Sequence, residues 1–313
     1  MVKSKDGKPM SITDSRRNKL AVLALFAITA FWGASFVLME DAITLQPVPD
    51  FLATRFVLAA AILIAIRPKT VLLFTKRMWI TGGITGLFLA FGYVTQTIGL
   101  DYSTAAITGF LTGLYVVLTP VLAWLLFRQK LNGKLLFAAC LALVGLGTIA
   151  LTPTGVGTGE IWVIVSALLF ALHIVALGKW SPGADTYALT TMQLIVTAFV
   201  TSALAATDGY QAPPEPSVWI AVIITAVFAT AIGFMLQTWA QAHMDASRVA
   251  IILTAEVPWA ASLAVLSGQE TLGVRTLIGG LIMFSAMLIV EWPSKRKPQP
   301  GEIQPVHPAG HFE

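Results

Sequence analysis

Gly92-Tyr93-Val94-Thr95-Gln96-Thr97 is written nearly a second time as Gly233-Phe234-Met235-Leu236-Gln237-Thr238. The stretches downstream of the two copies also run in parallel. After the first come a polar break at 101–104, a long apolar segment with Pro120 late in it, and Gln129 to Gly133. After the second come a polar break at 243–247, a long apolar segment with Pro258 late in it, and Gln269 to Gly273. The offset is 141 residues at the Gln-Thr pair, 138 at the prolines and 140 at the Gln/Gly pair, slips that short insertions and deletions produce. This period is far longer than a solenoid unit of roughly 20–50 residues. It reads as a duplicated half-protein, which in a membrane chain marks a transporter.

Composition agrees. The chain has 313 residues, 56% apolar and only 12% charged, with a mean hydropathy of +0.78. A soluble domain carries about 25% charged residues, so most of this surface does not face water. The single cysteine, Cys140, lies inside an apolar segment, which excludes a disulfide framework and a Cys-based metal site. The net charge of +4 does not point to nucleic acid, because the basic residues sit in short clusters between apolar runs.

Ten apolar segments come after a polar amino-terminal tail: 19–38, 51–66, 79–100, 105–127, 135–151, 161–177, 187–206, 218–241, 249–267 and 277–292. A hydrocarbon core takes about 20 residues of helix; most segments fit, while 51–66 and 135–151 are short. They are continuously apolar rather than alternating, which argues against strands. The first has a basic flank but is too long for a cleaved signal peptide, so it is expected to remain as an anchor. The tails 1–17 and 293–313 are expected to be disordered and cytoplasmic.

With the amino terminus inside, every basic residue except Arg55 and Arg275 falls on the cytoplasmic side, while Glu40, Asp41, Asp50, Asp101, Glu160, Asp208 and Glu215 fall outside. That asymmetry sets both termini in the cytoplasm. Five helices per half is an odd number, so two homologous halves enter the membrane in opposite directions. The expected fold is therefore all-α and integral to the membrane, with ten transmembrane helices as two inverted five-helix repeats. The first repeat spans 18–152, an external linker 153–159, and the second repeat 160–292. Such inverted repeats place a substrate site near the midplane between them and work by alternating access.

At this point the chain resembles the ten-helix EamA-type exporters of the drug/metabolite transporter superfamily. The matching residues are Phe31-Trp32-Gly33-Ala34-Ser35-Phe36, Thr54-Arg55-Phe56, the two Gly-Tyr/Phe…Gln-Thr copies, Thr112-Gly113-Leu114-Tyr115…Thr119-Pro120, and Glu256-Val257-Pro258 followed by Gly268-Gln269-Glu270. The likeness covers about 18–292. The first half departs from it, with Arg128-Gln129-Lys130 where many relatives carry Gly-Glu. The resemblance implies a bacterial inner-membrane carrier that exports amino acids, related metabolites or drugs.

Several residues are candidates for that work. Glu256 is the one acidic residue deep in an apolar segment. A charge at the bilayer centre costs about 2.5–3.5 kcal/mol on insertion scales, so such residues are usually functional or paired. Glu256 can take a substrate ammonium group or a coupling proton; the structural alternative is a carboxylate bonded to a neighbouring helix. Pro258, two residues on, removes a helix hydrogen bond and frees the carbonyl of Thr254. His173 corresponds to Ser35 at the 138 offset and can line a cavity, relay protons or sit bonded in the core. Arg55 starts the second helix, where it can snorkel to headgroups, the reading its position favours, or act as a gate or anion contact.

Gln96, Thr97, Gln237 and Thr238 face a cavity or bond between helices. Trp32, Phe36, Tyr93, Tyr115, Phe170, Phe234, Trp239 and Trp259 can form an aromatic wall for a flat or cationic solute, or pack as ordinary helix contacts and interface belts. Pro120 and Pro258 are candidate gating positions with Glu256 and Arg55. Gly82…Gly86 and Gly109…Gly113 are spacings that let helices approach within the bundle or across a dimer seam.

Hydrolase, zinc-protease, P-loop and dinucleotide signatures are absent from the sequence, so neither an enzyme nor a nucleotide-driven pump is expected. No cofactor, metal or nucleic-acid partner is expected; the partners are a small solute, the bilayer and protons as a coupling ion, in a monomer or homodimer. The expected activity is export of an amino-acid-like or drug-like solute. Import of a cationic nutrient and a non-transporting scaffold or receptor are the alternatives.

Overall fold

A computed structural model describes residues 12–103, 105–130, 132–150, 157–268 and 273–292. Every regular element among them is a helix. In order they are α1 (Ile12–Leu45), α2 (Val48–Ile66), a 3₁₀ turn (Pro68–Leu73), α3 (Lys76–Asp101), α4 (Ala105–Thr112), α5 (Tyr115–Phe127) and α6 (Gly133–Ala150). Then come α7 (Thr158–Trp180), α8 (Thr186–Ala205), α9 (Pro216–Ile224), a π-helical stretch (Thr225–Ile232), α10 (Gly233–Gln241), α11 (Ala246–Leu253), α12 (Glu256–Leu266) and α13 (Val274–Glu291). Among the described residues seven helices are long and apolar enough to cross a membrane, and Gly133–Thr148 and Leu277–Val290 are shorter apolar helices. Residues 1–11 and 293–313 of the tails, the 153–156 part of the linker, and Gln269 and Glu270 lie outside the described residues, whereas residues 12–17, expected to be disordered, form the first turns of α1.

Local chemistry sets the helix ends. Thr75 caps α3 by accepting from Met78 N, and Asp185 caps α8 by accepting from Ala188 N. Proline opens α2 and α9, where its missing N–H costs no helix bond. Two segments that read as continuous are each broken at the middle. In the first, Leu114 N reaches Leu111 O and Val116 N reaches Gly113 O; in the second, Ala255 N reaches Ile252 O and Val257 N reaches Thr254 O. These are 3₁₀-type bonds that tighten the chain for one turn. The Thr254 carbonyl expected to be freed by Pro258 is thus taken up by Val257 N at 3.1 Å.

The helices pair across the two halves of the chain. α3 packs on α7 and α1 on α10; α2 packs on α8, and α6 on α13. α4 meets α12 while α5 meets α11, so the two broken segments run antiparallel. Small residues make this possible. A Cβ on Gly86 would lie 2.8 Å from Gln193 O, and one on Gly82 would lie 2.5 Å from Met192 Cγ. The Gly82…Gly86 spacing therefore seats α3 on α8 inside the bundle. The outer surface is apolar, with Leu23, Trp79, Phe137, Phe199 and Leu281 all exposed. Many buried threonines instead donate to the carbonyl one turn back, as Thr95 does to Phe91 O at 2.7 Å.

Candidate functional site

A narrow cavity lies between the two halves. Its fourteen lining residues are seven positions taken twice. At the 138 offset, Trp32, Ser35 and Phe36 of α1 correspond to Phe170, His173 and Ile174 of α7. At the 141 offset, Tyr93 and Gln96 of α3 correspond to Phe234 and Gln237 of α10, and Thr112 and Tyr115 to Leu253 and Glu256.

The repeated glycines explain how the aromatic wall fits. A Cβ on Gly92 would lie 2.9 Å from the Phe170 ring, and one on Gly233 would lie 3.0 Å from Trp32 Nε1. Each glycine makes room for the large side chain that the other half's first helix presents. The two copies then diverge. Trp32 carries an N–H that needs an acceptor in this dry interior. It donates to Ala229 O at 2.7 Å. In the π-helical stretch Gly233 N reaches Phe228 O and Thr230 O and does not take Ala229 O. Phe170 has no such demand, and α3 opposite it is a regular α-helix. Local π geometry often sits at functional sites.

Tyr115 and Glu256 are the first residues of α5 and α12, each placed immediately after its break. They meet: Tyr115 Oη donates to Glu256 Oε1 at 3.1 Å. Gln96 Nε2 donates to Thr112 Oγ1 at 3.0 Å. For the equivalent Gln237 the position matching Thr112 is Leu253, which has no hydroxyl, and the buried Gln237 Oε1 has no partner among the described residues. His173 Nε2 lies 2.7 Å from Gln193 Oε1, and Gln193 Nε2 donates to Thr238 Oγ1 at 3.0 Å. Ser35 Oγ donates to Trp32 O. Phe234 is central to the wall, with ring centroids 5.5 Å from Trp32, 6.0 Å from Tyr93 and 5.9 Å from His173.

Arg55 does not snorkel. It is fully buried and points inward behind Tyr93. Its Nε donates to Thr230 Oγ1 at 2.7 Å, Nη1 to Met39 Sδ at 3.0 Å and Nη2 to Tyr93 Oη at 3.4 Å. The guanidinium stacks 4.8 Å from the Tyr93 centroid, and among the described residues it meets no carboxylate. A headgroup anchor would keep its charge in water, so the reading favoured by helix-end position fails.

Glu256, His173, Trp32, Ser35, Phe36, Tyr93, Gln96, Tyr115, Phe170 and Gln237 are thus brought to one cavity. Trp259 is not. Its Cβ presses on Gly33 of α1 and its ring turns to Phe26, 5.9 Å away. It lines a separate apolar recess with Pro258 and Phe284, on the far side of α12. Trp239 packs against His243, ring centroids 5.2 Å apart and tilted by 50°, and is not among the cavity residues. Pro120 is buried within α5. Thr97 is buried and its Oγ1 has no partner among the described residues, and Thr238 serves Gln193. Sequence reasoning missed Thr112, Ile174 and Leu253 as lining residues. The 138 offset pairs Ile174 with the chosen Phe36, but Thr112 and Leu253 pair only with each other at the 141 offset. It also missed Gln193 and Thr230 as the partners of His173 and Arg55.

Comparison with known proteins gives a consistent result. The EamA-like transporter family profile matches twice, over residues 19–151 and 157–292. An uncharacterized transporter of Archaeoglobus fulgidus is 28% identical over 271 residues, covering 86% of this chain and 85% of that protein. The uncharacterized transporters YvbV and YetK of Bacillus subtilis are 24% and 26% identical, covering 89% and 84% of this chain and 93% and 86% of their own lengths. A crystal structure 18% identical in sequence superposes with a TM-score of 0.73, over 87% of this chain and 96% of that one, which bears on the fold alone.

Proposed function

The chain belongs to the EamA-like transporter family of the drug/metabolite transporter superfamily, and on that premise we propose that it is a secondary carrier that exports a small solute by alternating access around the central cavity. That it is a multi-pass membrane transporter with a small-molecule substrate follows from the family. The finer reading has ten spans in two inverted repeats, both termini in the cytoplasm, in a bacterial inner membrane.

One observation carries this reading: the cavity is built from seven positions that each half supplies once. Helix pairing supports it, since exchanging the halves maps α3–α7 onto α1–α10 and α4–α12 onto α5–α11. A pseudo-symmetric pair of halves can rock about such a site and expose it to either side in turn. The antiparallel course of the broken segments is what inversion requires. Glu256 is the group to couple solute to protons, because its partner Tyr115 belongs to the other half and rocking would break their contact.

The solutes in question are amino acids, related amines and drug-like compounds. The test is counterflow in proteoliposomes loaded with a solute panel, with a reporter fused after Gly157 to fix topology. Stimulated exchange and a reporter on the side opposite the amino terminus support the carrier. A reporter on the same side makes the halves parallel and ends the inverted reading. Unchanged pH dependence in Glu256→Gln ends proton coupling through that residue.

A further inference from the structure

On the reading that the cavity is a transport site, we infer that it selects solutes bearing a protonated amine and no carboxylate, because it offers one carboxylate, an aromatic wall and no cation. Glu256 is the one charged side chain among the lining residues. Tyr115 holds Oε1, and among the described residues no hydrogen bond or ion pair holds Oε2. An ammonium group at Oε2 would supply the counter-charge that a buried carboxylate otherwise lacks.

The donors are largely spent on the protein itself. Trp32 Nε1 serves Ala229 O and Ser35 Oγ serves Trp32 O, both at 2.7 Å. Gln96 Nε2 serves Thr112 and Tyr115 Oη serves Glu256. A solute carboxylate would therefore lose its hydration without finding a charged donor. Trp32 and Phe234 line the cavity, and aromatic rings attract a cation. Tyr93 is less available, since Arg55 already stacks on it.

Arg55 is the competing host for a carboxylate. To reach one it would have to give up Thr230 Oγ1 and pass the Tyr93 side chain. The selection thus depends on Arg55 staying behind that ring.

The experiment uses the full-length protein in proteoliposomes and three matched sets of probes. These are phenethylamine, 3-phenylpropanoate and phenylalanine; tryptamine, indole-3-propanoate and tryptophan; isoamylamine, 4-methylpentanoate and leucine. Counterflow and thermal stabilisation are both read. The amine of each set is expected to be preferred at least tenfold over its acid and its amino acid. That preference should disappear in Glu256→Gln and survive in Glu256→Asp, Tyr115→Phe and Arg55→Gln. The last three guard against loss of the first variant through misfolding, and their melting temperatures are recorded with it. Amino acids preferred over amines, with the preference lost in Arg55→Gln, would overturn the inference and assign the carboxylate to Arg55. Preference for the acids would overturn it outright. In either case the carrier reading stands, because exchange is still seen. No exchange and no stabilisation by any probe would count against both.

Discussion

The first and second halves furnish the same seven wall positions, yet at three of them the chemistry has parted. Ser35 corresponds to His173, Thr112 to Leu253, and Tyr115 to Glu256. Where the copies agree, they agree on bulk: Trp32 with Phe170, and Tyr93 with Phe234. Duplication thus preserved the shape of a chamber, while divergence placed its charge on one side only. The hydrogen bonds show the same asymmetry. Gln96 is tied to Thr112, whereas Gln237 has lost the equivalent hydroxyl to Leu253 and keeps a buried oxygen without a partner among the described residues. Arg55 has no counterpart charge either, since Gln193 stands at its place in the second half and joins His173 to Thr238. If the cavity is the transport site proposed above, a symmetric shape with an asymmetric charge would give a solute one orientation.

The largest test of this contrast sets Glu256→Gln against Tyr115→Phe. A hydrogen bond to a charged group is worth about 1.5–3 kcal/mol. Solute affinity should therefore fall roughly tenfold to a hundredfold in Glu256→Gln and by less than about tenfold in Tyr115→Phe. Half-saturation of counterflow measures both; equal losses would mean the copies are functionally alike. Next come the glycines. Gly92→Ala and Gly233→Ala should each lower thermal stability by about 1–3 kcal/mol through overpacking. The loss should be greater at Gly233, because the new methyl also pushes Trp32 from Ala229 O. Differential scanning fluorimetry would show whether it is.

A smaller effect is expected where Thr112 corresponds to Leu253. Thr112→Val should cost about 1 kcal/mol by freeing Gln96, and Leu253→Thr should recover part of that by giving Gln237 a partner. Melting of the two single variants and the double variant separates these contributions. The smallest gain lies at the helix ends. α5 closes on Arg128 at φ 51°, while the matching residue after α12 is Gly268 at φ 81°. A left-handed backbone costs a side-chain-bearing residue roughly 1–2 kcal/mol. Arg128→Gly should therefore raise the melting temperature slightly, and a fall would show that the arginine side chain holds this end by contacts of its own.

Much of the site was legible in residue order alone. The recurrence of Gly92…Gln96-Thr97 as Gly233…Gln237-Thr238 located both glycines that admit the large rings and both glutamines of the wall. The isolated acid at Glu256 stood out against an apolar segment. Other features were not legible. Trp259 belongs to the same aromatic-rich stretch, but helix rotation sends it to Phe26 rather than into the chamber. Arg55 sits near a helix end by count, and only packing revealed that its head turns inward to Thr230. The break that makes Glu256 the first residue of α12 was hidden in an unbroken apolar run.

The amino-acid sequence by itself determined that the chain is helical, apolar and duplicated, because hydropathy and repetition are carried by the succession of residues. Its alternation of basic and acidic loops also set the expectation for orientation. Only the tertiary structure decided which residues face one another, and so which charges find partners. It joined Tyr115 to Glu256 and left Gln237 Oε1 without a partner among the described residues. The reason is geometric: a helix distributes neighbouring residues around its full circumference, and which arc faces the chamber depends on helices from the other half of the chain.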